Sequence, residues 1–124
     1  MFIPKKNGKL RLIIDYRQLN EIIIKDRTPL PLIIKIKNRL QKTNWFTALN
    51  LKNRYHHVRI KLGYEWKTAF RTKYGLFEYL VIPFGLTNAP AIFQRMVNNI
   101  FREYFDVFII YYLNDILIYS EIKK

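Results

Sequence analysis

The sequence predicts an α+β fold in which an antiparallel sheet packs on helices. Short β-type runs occur in pairs around turn-forming residues, and one long amphipathic helix lies between them along the chain. The strands and helices do not alternate strictly, which argues against a doubly wound parallel sheet. Of the 124 residues, 50% are apolar and 16% aromatic, enough for the core of one domain or of a piece of one.

The first predicted element is a hairpin. Two short β-type runs, residues 2–5 and 9–14, lie on either side of the dipeptide Asn7-Gly8. Asn-Gly supplies positive φ at both central positions of a type I′ turn. We therefore expect a tight turn at this dipeptide and two antiparallel strands around it.

The middle of the chain predicts a helix, a strand and a second hairpin. The helix runs from Pro31 to about Gln41, since proline suits a first helical turn. Its apolar side chains share one face: Leu32, Ile33, Ile36 and Leu40. The segment WFTALNL, residues 45–51, has the composition of a strand. The β-type runs around the tripeptide at 73–75 predict the second hairpin.

The longest predicted helix follows Asn88, which can cap it, and has Pro90 in its first turn. Apolar residues recur every three or four positions on one face: Ile92, Phe93, Met96, Val97, Ile100, Phe101 and Tyr104. Polar residues fill the opposite face: Gln94, Arg95, Asn98, Asn99, Arg102 and Glu103. A closing hairpin over residues 107–120 is expected to turn at Leu113-Asn114-Asp115.

The chain is strongly basic. It has 22 Lys and Arg against nine Asp and Glu, a net charge of +13. An excess of this size favours a nucleic-acid partner, because Lys and Arg neutralise phosphates. The alternative is a basic surface that is merely solvated. The absence of cysteine excludes a disulfide framework and a thiolate metal site.

Hydropathy argues against a membrane partner. The longest apolar run is about seven residues, whereas a membrane helix needs roughly 20. Charge begins at Lys5, before any apolar stretch typical of a signal peptide. We therefore expect an intracellular chain that is not secreted, with the choice between cytoplasm and nucleus open.

Four stretches carry a more specific signal. They are FIPKKNGKLRLIIDYRQLN (2–20), FTALNLKNRYHHVRI (46–60), EWKTAFRTKYGLFEYLVIPFGLTNAPAIFQRM (65–96) and YYLNDILIYS (111–120). In this order and spacing they resemble the reverse transcriptase, an RNA-directed DNA polymerase, of gypsy-type LTR retrotransposons. The resemblance covers nearly the whole chain, so it is far more specific than a single motif.

The resemblance implies part of a right-hand polymerase. Residues 1–44 and 61–83 would be fingers-side elements, and residues 45–60 and 84–124 would form the palm. Both ends of the chain fall close to predicted strands, so we expect a polyprotein fragment that lacks the thumb, connection, RNase H and integrase. The implied partners are dNTP and an RNA or DNA template with its primer.

The resemblance also implies two Mg²⁺ or Mn²⁺ ions, held by palm aspartates, for nucleotidyl transfer. Here the matching positions are Asn50, Asn114 and Asp115, so two of the three family aspartates are amides. An amide oxygen lacks the charge of a carboxylate, and such losses typically cost several kcal/mol of catalysis. We expect this copy to bind metal weakly and to be inactive. The alternatives are a nucleic-acid-binding remnant, a domesticated module or a pseudogene product.

Five further residues match nucleotide-binding positions of the family. Lys5 and Arg11 correspond to contacts with the incoming triphosphate, and Tyr55 to the aromatic residue that gates the ribose 2′-position. Phe84 and Gly85 lie in a loop that packs beside the nucleotide and template in the family. Read from the residues alone, Lys5 and Arg11 are exposed charges and Tyr55 is an ordinary core tyrosine. Gly85 has a physical argument of its own, because backbone without a Cβ can approach a ligand closely.

The adjacent pair His56-His57 suggests a metal site. Consecutive residues of a strand point to opposite faces, so the two side chains could not easily bind one ion.

Other departures from the family pattern are Asn7, Lys35 and the segment 52–55, which reads Lys-Asn-Arg-Tyr where Lys-Ser-Gly-Tyr is usual. Each of these differences can arise from a single G-to-A change in a codon, so we hypothesise directional mutation of the gene. Part of the net charge of +13 would then be due to acidic residues that mutation has replaced. Tyr64, at a position often acidic, requires a different change.

Overall fold

The computed structural model describes residues 1–29, 32–112 and 115–121. The strands are β1 (Phe2–Pro4), β2 (Leu10–Leu12), β3 (Trp45–Asn50), β4 (Phe70–Thr72), β5 (Gly75–Phe77), β6 (Ile109–Tyr112) and β7 (Asp115–Ser120). The α-helices are α1 (Arg17–Ile22), α2 (Ile33–Leu40) and α3 (Ala89–Ile100), and two 3₁₀ turns cover Arg54–His57 and Glu65–Thr68. Helices mixed with antiparallel strands confirm the α+β class.

The chain divides into two compact units. Unit 1 comprises residues 1–25 and 55–89, and unit 2 comprises residues 26–54 and 90–124. The fingers and palm ranges implied by the family resemblance follow different boundaries and stay a prediction. None of the helices in the described part of the chain is long and apolar enough to cross a membrane.

Unit 1 contains the predicted N-terminal hairpin, with Phe2 of β1 opposite Leu12 of β2. The predicted turn type was wrong. Gly8 has a φ of +76°, while Asn7 is not among the positive-φ residues of this described segment. The Gly8 amide donates to the Lys5 carbonyl at 3.0 Å. This longer loop needs only one left-handed residue after an ordinary turn, and glycine supplies it.

The second hairpin is also present in unit 1, with Phe70 of β4 opposite Phe77 of β5. Its strands are shorter than predicted because the chain after β5 pairs elsewhere. The Ile60 amide donates to the Leu80 carbonyl at 2.9 Å, and the Ile82 amide donates to the Val58 carbonyl at 2.9 Å. Residues 58–60 and 80–82 therefore form a short antiparallel bridge outside the hairpin.

Thr68 anchors the second 3₁₀ turn in the interior of unit 1, where its exposure is 4%. Its hydroxyl donates to the Glu65 carbonyl at 2.7 Å and accepts the Tyr79 amide at 2.9 Å. The Tyr16 hydroxyl donates to the Thr68 carbonyl at 2.8 Å, and burial raises the pKa of Tyr16 to about 12. Buried polar groups are stabilising when they are paired in this way.

Replacing Thr68 by the isosteric valine is expected to lower the free energy of unfolding by about 1–3 kcal/mol, because the Tyr79 amide loses its buried acceptor. Urea denaturation of the two chains measures the difference. Thr72→Val is the matched control, since the Thr72 hydroxyl accepts the Tyr74 amide at an exposed position. Equal effects of the two substitutions would contradict the role assigned to Thr68.

The helix α1 was not expected from the sequence, and Asp15 lies just before it. The Asp15 carboxylate accepts the Arg17 backbone amide at 3.1 Å and the Arg17 guanidinium at 2.6 Å. The side-chain hydrogen bond from Arg17 lowers the pKa of Asp15 to about 2. A carboxyl group that titrates lower in the folded state stabilises it above the ordinary pKa and loses that effect as the pH falls.

Arg17→Gln is therefore expected to raise the pKa of Asp15 toward its ordinary value and to lower stability above about pH 4, and this difference between the two chains should disappear as the pH falls from about 4 to about 2. Carboxyl ¹³C NMR titration of the unchanged and substituted chains measures this shift. Arg27→Gln removes the same charge from another exposed site and is expected to leave the Asp15 titration unchanged. An unshifted Asp15 in the Arg17 variant would refute the assignment.

Unit 2 contains an antiparallel sheet in the order β3-β7-β6. The predicted strand at 45–51 is β3, and the closing hairpin is the pair β6 and β7. The core includes Ile109, Ile110 and Tyr111 of β6 and Phe93 of α3. The Phe93 and Tyr111 rings lie 6.1 Å apart, so α3 packs on the sheet as expected.

The two longer helices are present as α2 and α3, but α3 ends at Ile100, so Phe101 and Tyr104 of the predicted apolar face lie beyond it. The start predicted for α2 at Pro31 falls outside the described residues, and its last residue, Leu40, is half-buried. In α3 the assignment of Gln94 to the exposed face was wrong, because its exposure is 1%. The Gln94 Nε2 donates to the Asn98 Oδ1 at 2.9 Å, whereas the buried Gln94 Oε1 has no hydrogen-bond partner among the described residues.

Candidate functional site

The ends of β3 and β7 bring two of the predicted metal-site positions together. Asn50, the last residue of β3, lies opposite Asp115, the first residue of β7. The Asn50 Nδ2 donates a hydrogen bond to Asp115 Oδ1 at 2.6 Å. Asn114, the third predicted position, lies outside the described residues.

Strand alternation explains why these two polar side chains are accessible. Asp115 is exposed, whereas the next residue of β7, Ile116, is 5% exposed and belongs to the core. Successive side chains of a strand point to opposite faces, so burial of Ile116 directs Asp115 away from α3. The antiparallel register then places Asn50 beside it.

The residues at this position do not fit a pair of divalent cations. Mg²⁺ prefers anionic oxygen ligands, but the described part of the site offers one carboxylate, and its Oδ1 already accepts an N–H. No cluster of three or more His, Cys, Asp or Glu side chains suited to a metal ion occurs within residues 1–29, 32–112 and 115–121. The Asn50 amide donates one hydrogen bond to this carboxylate, whereas a cation would also offset its negative charge.

In unit 1, two of the predicted nucleotide-binding residues, Arg11 and Tyr55, lie against the ring of a third, Phe84. The Arg11 guanidinium carbon lies 4.5 Å from the ring centroid. The Tyr55 ring packs edge-on against Phe84, with centroids 5.3 Å apart. Tyr55 is 6% exposed, so it is a core tyrosine of unit 1, as the residue-based interpretation expected. The gating role of Tyr55 stays a prediction.

Gly85 has a conformational role in the same loop. Its φ is +101°, and an added Cβ would lie 3.4 Å from the Ile14 carbonyl oxygen. Asn20 holds the loop from both sides: its Nδ2 donates to the Gly85 carbonyl, and its Oδ1 accepts the Thr87 amide, each at 2.8 Å. Asn20 was not predicted to have a role, because its partners are 65 and 67 residues away and no local pattern marks them.

Lys5 lies in the exposed loop of the first hairpin. Its charge contributes to the environment of His56, whose pKa is lowered by burial, by His57 and by Lys5, in that order. The two histidines lie in the 3₁₀ turn Arg54–His57, so the strand geometry assumed for them was wrong. Successive side chains of a 3₁₀ turn are rotated by about 120°, which also separates the two rings.

Solved structures show the fold class. A foamy viral protease–reverse transcriptase in complex with double-stranded DNA matches with a TM-score of 0.86 and 25% identity, over 98% of this chain and 21% of that one. The same viral enzyme in complex with an RNA/DNA hybrid matches with a TM-score of 0.83 and 23% identity, over 98% and 16%. The architecture is that of the fingers and palm region of a reverse transcriptase.

Sequence comparison shows the family. The Transposon Tf2-3 polyprotein of Schizosaccharomyces pombe is 45% identical over 98% of this chain, and the Tf2-7 polyprotein is 44% identical over the same share. The chain spans 9% of the length of these curated relatives. Residues 3–124 match the family model described as Reverse transcriptase (RNA-dependent DNA polymerase), and the chain belongs to this family.

Proposed function

We propose that the chain is a reverse transcriptase segment of a gypsy-type LTR retrotransposon polyprotein that holds template and primer without transferring nucleotides. The observation that carries this proposal is the hydrogen bond from Asn50 Nδ2 to Asp115 Oδ1 at 2.6 Å. It joins two positions at which the family resemblance implies aspartates around two metal ions.

The proposed loss of catalysis follows from charge. A pair of dications needs several carboxylates nearby, because like-charged ions repel each other strongly at short distance. Asp115 supplies one negative charge, and Asn50 supplies none and presents an N–H donor. We therefore propose weak binding of Mg²⁺ or Mn²⁺ and no useful stabilisation of the developing charge in the transition state.

The proposed nucleic-acid binding draws on three independent supports. The net charge is +13, which favours phosphate contacts. The matching foamy viral enzyme was solved with double-stranded DNA and with an RNA/DNA hybrid. In unit 1, the exposed Arg11 guanidinium lies over the half-buried Phe84 ring, which places a cation beside an aromatic ring for a nucleotide to contact. Lys5 and Gly85 complete the proposed nucleotide contacts.

Filter binding of a primer–template with a single-stranded overhang, at 50 and 200 mM salt, tests the binding function. We expect saturable binding that weakens steeply with salt, because phosphate contacts release counterions. The salt slope is the slope of the logarithm of the binding constant against the logarithm of the salt concentration. Arg11→Gln is expected to reduce this slope by roughly one unit. Arg17→Gln, which removes a charge already paired with Asp15, is the control and should change the slope less. Failure of the unchanged chain to bind at 50 mM salt would refute the proposal.

A further inference from the structure

A second cluster of basic and aromatic side chains lies on unit 1, around the 3₁₀ turn Glu65–Thr68. We call Lys61, Tyr64, Trp66 and Lys67 the aromatic–lysine turn. Tyr64 is 44% exposed and Trp66 is 64% exposed. The Lys67 Nζ lies 4.5 Å from the Tyr64 ring centroid and 5.6 Å from that of Trp66. The Lys61 Nζ lies 5.2 Å from the Tyr64 centroid.

The backbone beneath these side chains is well anchored. The Tyr64 amide donates to the Lys61 carbonyl at 3.0 Å, and the Lys67 amide donates to the Tyr64 carbonyl at 3.1 Å. The next residue, Thr68, is buried and takes the hydrogen bonds from Tyr16 and Tyr79 described above. The two exposed rings are thus presented from a turn that is fixed to the core, so little backbone order has to be gained on binding.

We propose that the aromatic–lysine turn binds single-stranded nucleic acid by stacking bases on Trp66 and Tyr64 while Lys61 and Lys67 contact adjacent phosphates. This inference rests on the proposed nucleic-acid function and adds a surface to it. It uses none of the residues that match the nucleotide-binding positions of the family.

Energetic and compositional arguments favour this ligand. Exposed contacts between a lysine and a ring are weak, so the ammonium can leave the ring for a phosphate when a base stacks there. A protein partner fits less well, because lysine is depleted in the cores of protein interfaces while here two lysines lie on the rings. An acidic residue at position 64, which the family pattern often has, would repel phosphate, whereas tyrosine offers a stacking surface.

The single acid of the turn, Glu65, does not cancel its positive charge. Glu65 is half-buried, and its backbone carbonyl accepts the Thr68 hydroxyl. Lys61 and Lys67 are both exposed and outnumber it. The turn is therefore net positive at its exposed surface, as a site for a phosphate backbone requires.

The test measures the affinity of the full chain for a fluorescent single-stranded oligothymidylate and for a blunt DNA duplex by anisotropy. Trp66→Ala is expected to weaken oligothymidylate binding roughly five- to 100-fold, the range of one lost stacking contact, with little effect on the duplex. Trp66→Tyr keeps a ring and should retain most of the affinity. Trp45→Ala, in unit 2, removes the other tryptophan of the chain and should leave oligothymidylate binding unchanged.

The outcomes separate this inference from the proposed function. If the unchanged chain binds the primer–template but Trp66→Ala keeps full affinity for oligothymidylate, the inference is wrong and the function stands. If the unchanged chain binds no nucleic acid at all, the proposed function is wrong, and the inference that rests on it is wrong as well. Lys67→Gln should reduce the salt slope for the single strand by about 0.7, and an unchanged slope would contradict the phosphate contact.

Discussion

The chain as it stands is expected to add no nucleotide to a primed template, with either Mg²⁺ or Mn²⁺. The physical reason is that Asn50, at the end of β3, lacks the negative charge of an aspartate and donates a hydrogen bond to Asp115 instead. Lost electrostatic stabilisation of several kcal/mol corresponds to a rate that is thousands of times lower, or more. Primer extension with a labelled primer, followed on a denaturing gel, measures this activity directly.

The matched experiment restores the family residues within the full-length polyprotein of a relative. That scaffold would first carry this chain's segment, and then the segment with Asn50→Asp, Asn114→Asp and Arg54→Gly together. We expect extension with the restored segment and none with the unchanged one. Equal extension by the two would show that the amides do not limit activity, and absence of extension by both would show that they are not the main lesion.

The substitution Asn50→Asp alone is expected to make the stability of the chain depend on divalent cations. The register places position 50 opposite Asp115, so two carboxylates would face each other where a hydrogen bond now joins them. Repulsion and the lost bond should lower the free energy of unfolding by about 1–3 kcal/mol at neutral pH. Mg²⁺ at millimolar concentration should restore much of it, since a cation can bridge the two groups.

Urea denaturation with and without Mg²⁺ measures this effect. Asn38→Asp introduces the same charge at an exposed position of α2 and is the control, for which we expect no dependence on Mg²⁺. Acid pH should also restore the Asn50→Asp variant, because a proton shared between the two carboxylates removes their repulsion. A variant as stable as the unchanged chain at neutral pH without Mg²⁺ would contradict the pairing of these side chains.

Elements with strong local signals were predictable from the sequence. The glycine turns around Gly8 and Gly75 marked two hairpins, and the apolar periodicity after Asn88 marked α3. Features decided by tertiary contacts were not. The chain near Leu80 leaves the second hairpin to pair with residues 58–60, and no local pattern marks this partner. Gln94 is buried although it is polar, because α3 packs that face into the core.

In the candidate site, too, motif spacing predicted which residues matter but not all of their contacts. Motif spacing led to Asn50 and Asp115, and the strand register brings them side by side. It also led to Arg11, Tyr55 and Phe84, which pack together in unit 1. The role of Asn20 in holding the Gly85 loop depends on contacts between distant parts of the chain, so no sequence pattern indicated it. The hydrogen bond between Asn50 and Asp115 likewise depends on the positions of both side chains in the folded chain, so motif spacing did not predict it.

Our central proposal is that an amide–carboxylate hydrogen bond at the ends of β3 and β7 occupies the place for which the family resemblance implies metal ions. A titration of the unchanged chain with Mn²⁺, in which electron paramagnetic resonance counts the free ion, tests it most directly. The account predicts that the unchanged chain leaves Mn²⁺ free, and that Asn50→Asp combined with Asn114→Asp binds it saturably. Saturable binding of Mn²⁺ by the unchanged chain, abolished by Asp115→Asn, would contradict the account.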